Sequence, residues 1–389
     1  MSFSHGTHRL VPPSCTLARV RPHWPRFGLT RCVDITGLDR LGIPTFTAVR
    51  PRGTTLQVSS GKGITRENAE CSAVMEALEL HHAENPDPGS VLWASESELI
   101  EAARTGGGPE PIAPERLGVP ALPHHRPELQ QPWIVAEELL HGGRALLPCG
   151  STYFVQPSFV RTSTNGLASG NSETEATLHA LYELIERDAL ARLVVDGRVR
   201  LSSHGRVVAV DSLEHPVLAS LRDRIQGADC QLQLIAVPTA APVATFIAFI
   251  LDGNPLSLMS EVHFGSGCHV DPVIAACRAI TEAAQSRLIF IHGSREDLLP
   301  KYMAQAAGQR DPNVHRIISG LKPSIDWDSV LPARATPEPE MNSLLQHLLV
   351  ALKQLGHGAV YRHVLEALVP QTAVVKLLIP SFQFNGKIF

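Results

Sequence analysis

Three helix-forming segments with acids on one face constrain this chain most. They read SAVMEALE (72–79), GNSETEATLHALYELIERDA (170–189) and RAITEAAQSR (278–287). At about 100° per residue, Ser72, Glu76 and Glu79 fall within roughly 60° of one another. Ala73, Leu78 and Leu80 point elsewhere. In the second segment Glu175, Glu183, Glu186 and Arg187 share an arc of about 120°, with Leu178, Leu181, Leu184 and Ile185 opposite. In the third, Arg278, Glu282 and Gln285 share a face and Arg287 projects away. For one helix alone, a solvated acidic side would explain the pattern. The small and apolar neighbours of these acids predict helices buried on most sides. Buried carboxylates that face one another repel unless cations pair them. Oxygen ligands suit Mg2+, which binds through a few carboxylates plus substrate phosphates. Arginines on the same helices suit phosphate oxygens. The expectation is a metal-assisted polyphosphate site.

Composition narrows the alternatives. The 389 residues carry 34 basic and 38 acidic side chains, a net charge of −4, with no basic block for nucleic acid and no acidic tail. Seven cysteines, with no CxxC pair, exclude a disulfide framework and a thiolate zinc site. A reducing, cytoplasmic setting is expected. The N-terminal MSFSHGTHRLVPP has no apolar core of a signal peptide. The apolar run 232–251 is broken by Pro238 and Pro242 and reads as two buried strands joined by a turn, not a membrane span.

Along the chain, residues 1–30 read as an irregular arm with Pro12, Pro13, Pro22 and Pro25. Residues 31–60 read as two or three short strands turning at Gly37, Gly42 and Gly53. A helix follows at about 65–84, opened by Thr65 with Asn68 three residues on. Seven prolines and four glycines make 106–133 a surface excursion within one domain spanning 1–389. Strands WIVAEELL and RALLPC precede the central helix 172–194. A mixed strand region (200–265), helices near 271–291 and 340–356, and the strand VVKLLIP complete the series. No sequence repeat is evident, but recurring strands-then-helix segments predict several α+β units around one site.

Common nucleotide motifs fail. Ser59 to Gly63 resembles a P-loop fragment, but Leu56 stands where glycine belongs and no Ser or Thr follows Lys62. GSGCHV (265–270) breaks the dinucleotide pattern at its last position. His81–His82 and His124–His125 read as surface pairs, Cys71 and Cys277 as core, and Cys268 as part of a glycine-rich loop.

Taken together, SSGKG with SAVMEALE, TNGLASGN with ELIERDA, and GSGCH with RAITEAAQSR and GSRED resemble the YcaO family over about residues 8–380. The resemblance implies an α+β YcaO fold with an ATP cleft unlike P-loop or Rossmann sites. It implies ATP contacts from Arg9, Thr16, Ser72, Asn171, Glu175, Arg187, Arg278 and Gln285. It implies Mg2+ ligands at Glu76, Glu79, Glu183, Glu186 and Glu282, and places Arg287 in the third motif. The implied chemistry is ATP-dependent phosphorylation of a peptide amide oxygen after a nucleophile has added to the carbonyl. A Cys, Ser or Thr side chain would give an azoline, and an external sulfide a thioamide. Leu80 stands where many members carry arginine, and the PSFQFNGKIF terminus lacks the PxPxP tail of many azoline-forming members. MEALELHHAE is similar to members that work with a TfuA-type partner in thioamidation. The expected partners are therefore a precursor peptide or protein substrate and a TfuA-like or separate recognition protein, with a homodimer as an option. Azoline or amidine formation and a non-catalytic scaffold are the alternatives.

Overall fold

The computed structural model describes residues 3–195, 198–253, 262–293, 312–330 and 340–384. All but the first residue of the GSRED segment and the last five residues of the C-terminus lie outside these. Helices and mainly antiparallel sheets alternate in an α+β arrangement. Strands Arg31–Asp34, Thr45–Val49 and Val58–Lys62 form one antiparallel sheet. A second, four-stranded sheet runs Arg206–Val208, Cys230–Val237, Ala244–Asp252, Val262–His269. Its central hairpin pairs Cys230 with Asp252 and Val237 with Thr245, and Pro238 and Pro242 fall in the connection, where no ladder donor is needed. In the largest sheet Leu167–Gly170 pairs with Ala373–Leu378, which leads through Tyr361–Leu365 to Gln131–Glu138 and Arg144–Pro148.

Each long acid-bearing helix starts at a side-chain cap, which satisfies backbone donors the helix itself cannot. Thr65 accepts from Asn68 N, Ser172 from Glu175 N, and Asp271 from Val273 N and Ile274 N. The helices run Arg66–Glu84, Glu173–Ala191 and Pro272–His292. Alanines dominate their packing faces: Ala69, Ala73 and Ala77 in the first, and Ala275, Ala276, Ala279, Ala283 and Ala284 in the third, are all buried. Small side chains let the helix backbone approach the sheet closely. Met341–Gln354 packs its leucines against the central helix.

Some expectations need correction. The N-terminal arm is not irregular: Pro13–Val20 is an α-helix and Arg21–Phe27 a 3-10 turn, ended by Gly28 at φ 71°. Pro13 and Pro22 occupy first-turn positions, where the missing N–H costs nothing, so these prolines start helices rather than break them. The strand region 200–265 also holds helix Pro216–Gly227, again opened by proline. The excursion at 106–133 has no long helix, but it buries Ile112 and Leu117 against the large sheet. Cys268 lies in a strand, Val262–His269, not in a loop. His82 is buried, and burial lowers its pKa to about 4. Among the described residues, no helix is long and apolar enough to cross a membrane.

Candidate ATP and metal site

Each acid-bearing helix follows a strand that has no room for a side chain against it. A Cβ on Gly61 would collide with the backbone of Ala69 and Ala73, and one on Gly170 with Ala176 N and Glu175. Cβ atoms on Gly265 and Gly267 would strike Ala283 and Ala275. Strand side chains alternate between faces. With these glycines turned to the helix, their neighbours Lys62, Ser169 and Ser266 turn the other way.

The three strand–helix units also share a spacing. Counting from the caps Thr65, Ser172 and Asp271, the eleventh residue on is Glu76, Glu183 or Glu282, and the fourteenth is Glu79, Glu186 or Gln285. The expectation of no repeat is thereby corrected. The shared positions are a cap and two polar residues, with a glycine two or four residues ahead of the cap, scattered among helix positions that differ from unit to unit.

Each fourteenth residue reaches the strand of the next unit. Glu79 Oε1 accepts from Ser169 N at 2.8 Å and from Ser169 Oγ at 2.6 Å. Glu186 Oε1 accepts from Ser266 Oγ at 2.6 Å. Gln285 Nε2 donates to Ser60 O at 2.5 Å. The third contact must go to a carbonyl acceptor, which explains an amide in place of a carboxylate. The units thus close into a ring.

A cavity of about 360 Å³ sits within this ring. Ser72, Glu76, Glu79 and Leu80 line it from the first helix, and Asn171, Glu175, His179, Glu183, Glu186 and Arg187 from the second unit. Arg278 and Glu282 line it from the third helix, and Arg9, Thr16 and Lys62 complete the wall. Two motif residues stand apart from the lining. Gln285 is spent on the ring closure, and Arg287 pairs with Asp39 at 3.0 Å in the core, as its projection away from Glu282 predicts. The N-terminal arm is fastened at one corner. Arg9 Nη1 lies 3.2 Å from Glu175 Oε1, Leu10 N donates to Glu175 Oε2 at 2.8 Å, and Thr16 Oγ1 donates to Asn171 Oδ1 at 2.8 Å.

Several carboxylates of the cavity sit away from their ordinary pKa. Burial, only partly offset by the Ser169 hydrogen bonds, raises Glu79 to about 8. Burial and the Glu282 charge raise Glu186 to about 7, and burial raises Glu183. Glu282 is also pushed up by burial, but Lys62 and Arg187 pull harder and hold it low. Loss of solvent, with the Arg9 and Arg278 charges, lowers His179 well below the ordinary range, so it is neutral. Cys71, in the wall, is raised to about 11 by burial and remains a thiol.

The donor set fits Mg2+ and a polyphosphate. Among the described residues, no three His, Cys, Asp or Glu side chains converge closely enough to hold a metal unaided. Mg2+ completes its shell with water and phosphate oxygens, so spaced carboxylates around a cavity suit it. Arg278 Nε is buried with no hydrogen-bond partner, as a donor awaiting an anion would be. The acids were legible from helix spacing. Lys62 and His179 were not singled out, although Gly-Lys-Gly, Ala-Ser-Gly and Gly-Ser-Gly triplets precede the three helices.

Comparison with known proteins points to one family and one fold. The family model described as YcaO cyclodehydratase, ATP- and Mg2+-binding, matches residues 60–383. An uncharacterized protein of Mycobacterium tuberculosis is 35% identical over 408 residues, covering 99% of this chain and 85% of the relative. A protein of Rhizobium leguminosarum bv. trifolii, named for its position in the tfuA 3′ region, is 38% identical over 305 residues, covering 75% of this chain and 70% of its own. The structure of YcaO from Methanopyrus kandleri bound with AMPPCP and Mg2+ superposes with a TM-score of 0.74 at 21% identity, covering 98% of this chain and 94% of that one. A heterocyclase in complex with substrate and cofactor gives 0.75 at 20% identity, covering 99% of this chain and 54% of that one.

Proposed function

The chain belongs to the YcaO family, whose ligands are ATP and Mg2+, and from that premise we propose that it activates a peptide backbone amide for exchange of oxygen for sulfur, alongside a TfuA-type partner. One observation carries the activation chemistry: acids and arginines from three helices line one cavity. The relative from the tfuA 3′ region supports the thioamide branch.

Glu76, Glu79, Glu183, Glu186 and Glu282 would hold Mg2+, while Arg9, Arg187 and Arg278 would receive phosphate charge. Thr16, Ser72, Asn171 and Glu175 would meet the remaining polar groups of the nucleotide. Gln285 acts by anchoring its helix to the Ser60 carbonyl. Bound ATP with Mg2+ supplies the phosphoryl group that makes the amide oxygen a leaving group. In the overall balance, sulfide forms the new carbon–sulfur bond, the carbon–oxygen bond breaks, the oxygen departs in phosphate, and ATP becomes ADP. The protein's own thiol in the wall, Cys71, is protonated and is not a sulfur nucleophile.

A second reading, cyclodehydration by a side chain of the peptide, is favoured by the family description. Mass spectrometry of a peptide incubated with the protein, ATP, Mg2+, sulfide and a TfuA-type partner separates the two. Thioamidation exchanges an oxygen mass for a sulfur mass, whereas cyclodehydration loses one water. Glu186→Gln and Glu282→Gln should abolish ATP consumption. If the wild-type protein binds no ATP in the presence of Mg2+, both enzymatic readings fail and a scaffold role remains.

A further inference from the structure

Two junctions of the ring are alike, and the third differs in both partners, with Gln285 on the Ser60 carbonyl. At the first two a serine hydroxyl from the strand meets a glutamate of the preceding helix: Ser169 with Glu79, and Ser266 with Glu186. Beside that third junction, the glycine-flanked strand residue is Lys62 in place of a serine, and its ammonium is paired with Glu282, one turn before Gln285 on the third helix. The side chain has little choice of direction. Gly61 and Gly63 both press on the backbone of the first helix with no room for a Cβ, so Lys62 must point into the cavity.

A neutral serine shares a carboxylate with a metal ion at little cost, whereas an ammonium on the same carboxylate repels the incoming cation. Lys62 lies in the same wall as Arg278, whose Nε has no partner. A lysine is also a point-charge donor to phosphate on a flexible stem. Resting on the ATP and Mg2+ reading, we infer that Lys62 is a displaceable counter-ion. It neutralises Glu282 in the metal-free protein, leaves when a divalent cation takes that carboxylate, and turns to the phosphate oxygens of the bound nucleotide.

Two titrations with opposite signs test this. In Lys62→Met, Mn2+ alone, followed by electron paramagnetic resonance, should bind about ten-fold more tightly than to wild type, because no internal cation has to be displaced. The same variant with saturating Mg2+ should bind ATP about ten-fold more weakly, because a charged donor to phosphate is gone. Lys62→Arg, which retains the charge, should stay near wild type in the ATP arm. General damage to the site would weaken both ligands together. Mn2+ affinity that is unchanged or lower in Lys62→Met overturns the counter-ion role, and unchanged ATP affinity overturns the transfer to phosphate. If Lys62→Met does not fold, Lys62→Gln carries the same comparison. Wild type that binds neither Mn2+ nor ATP would instead sink the underlying site assignment.

Discussion

Glu79 and Glu186 hold protons at pH values where an exposed glutamate would be ionised, raised to about 8 and about 7 by burial. The sign of the consequence follows from proton counting. Between the ordinary value of 4.5 and about 8, the folded chain binds more protons at Glu79 than the unfolded chain does. Stability from this group is therefore complete below 4.5 and falls as pH rises toward 8. Metal ligands must be deprotonated, so cation binding releases protons and tightens as pH rises. Metal-free thermal stability should decline across this window while Mn2+ affinity climbs. Calorimetry in two buffers of different ionisation enthalpy should show proton release. Binding enthalpies that do not depend on buffer would refute the protonated state of these acids. These glutamates were legible in the sequence because a helix repeats every few residues and leaves its mark locally. Lys62 was not, because what identifies it is a partner in another unit.

At the scale of elements, three strand–helix units are built with the same device: a glycine that lets helix backbone rest on strand backbone. Gly61 has no positive φ, so any penalty for a side chain there is steric. Gly61→Ala should destabilise the protein by about 1–3 kcal/mol, since neither backbone can yield easily. Gly227→Ala, with nothing near its added methyl, should change stability by less than about 0.5 kcal/mol. Denaturant unfolding measures both, and equal effects would show that the close approach at Gly61 is unimportant. Strand and helix positions were readable from prolines, caps and apolar runs. The helix Pro13–Val20 was missed because a proline reads as a breaker until its first-turn position is known. The three-fold spacing was missed because it rests on so few residues per unit.

Across the whole molecule, the cavity is walled by residues as far apart in the chain as Arg9 and Glu282. A ligand that fills it ties together the arm and all three units. ATP and Mg2+ together should therefore raise the unfolding temperature, adding about 2.7 kcal/mol at a hundred-fold excess over Kd. Glu183→Gln should fold and lose most of that shift. A full shift in Glu183→Gln, measured by differential scanning calorimetry, would remove this residue from the metal site. That three segments come together was expected from the sequence, and the structure brings all three to the wall of one cavity. How they meet was not, since pairing between distant segments is set by packing of the folded chain.

The ring has a consequence for the order in which the protein is made. Glu79 is synthesised 90 residues before Ser169, and Lys62 is synthesised 220 residues before Glu282. While the first unit emerges from the ribosome, its buried-to-be acid and its lysine have nothing to meet. N-terminal segments fold first during translation where they can, but here an early fold would leave Glu79 without Ser169 and Lys62 without Glu282. The cavity wall is therefore complete only after the third helix has been made, because Arg278 and Glu282 form part of it.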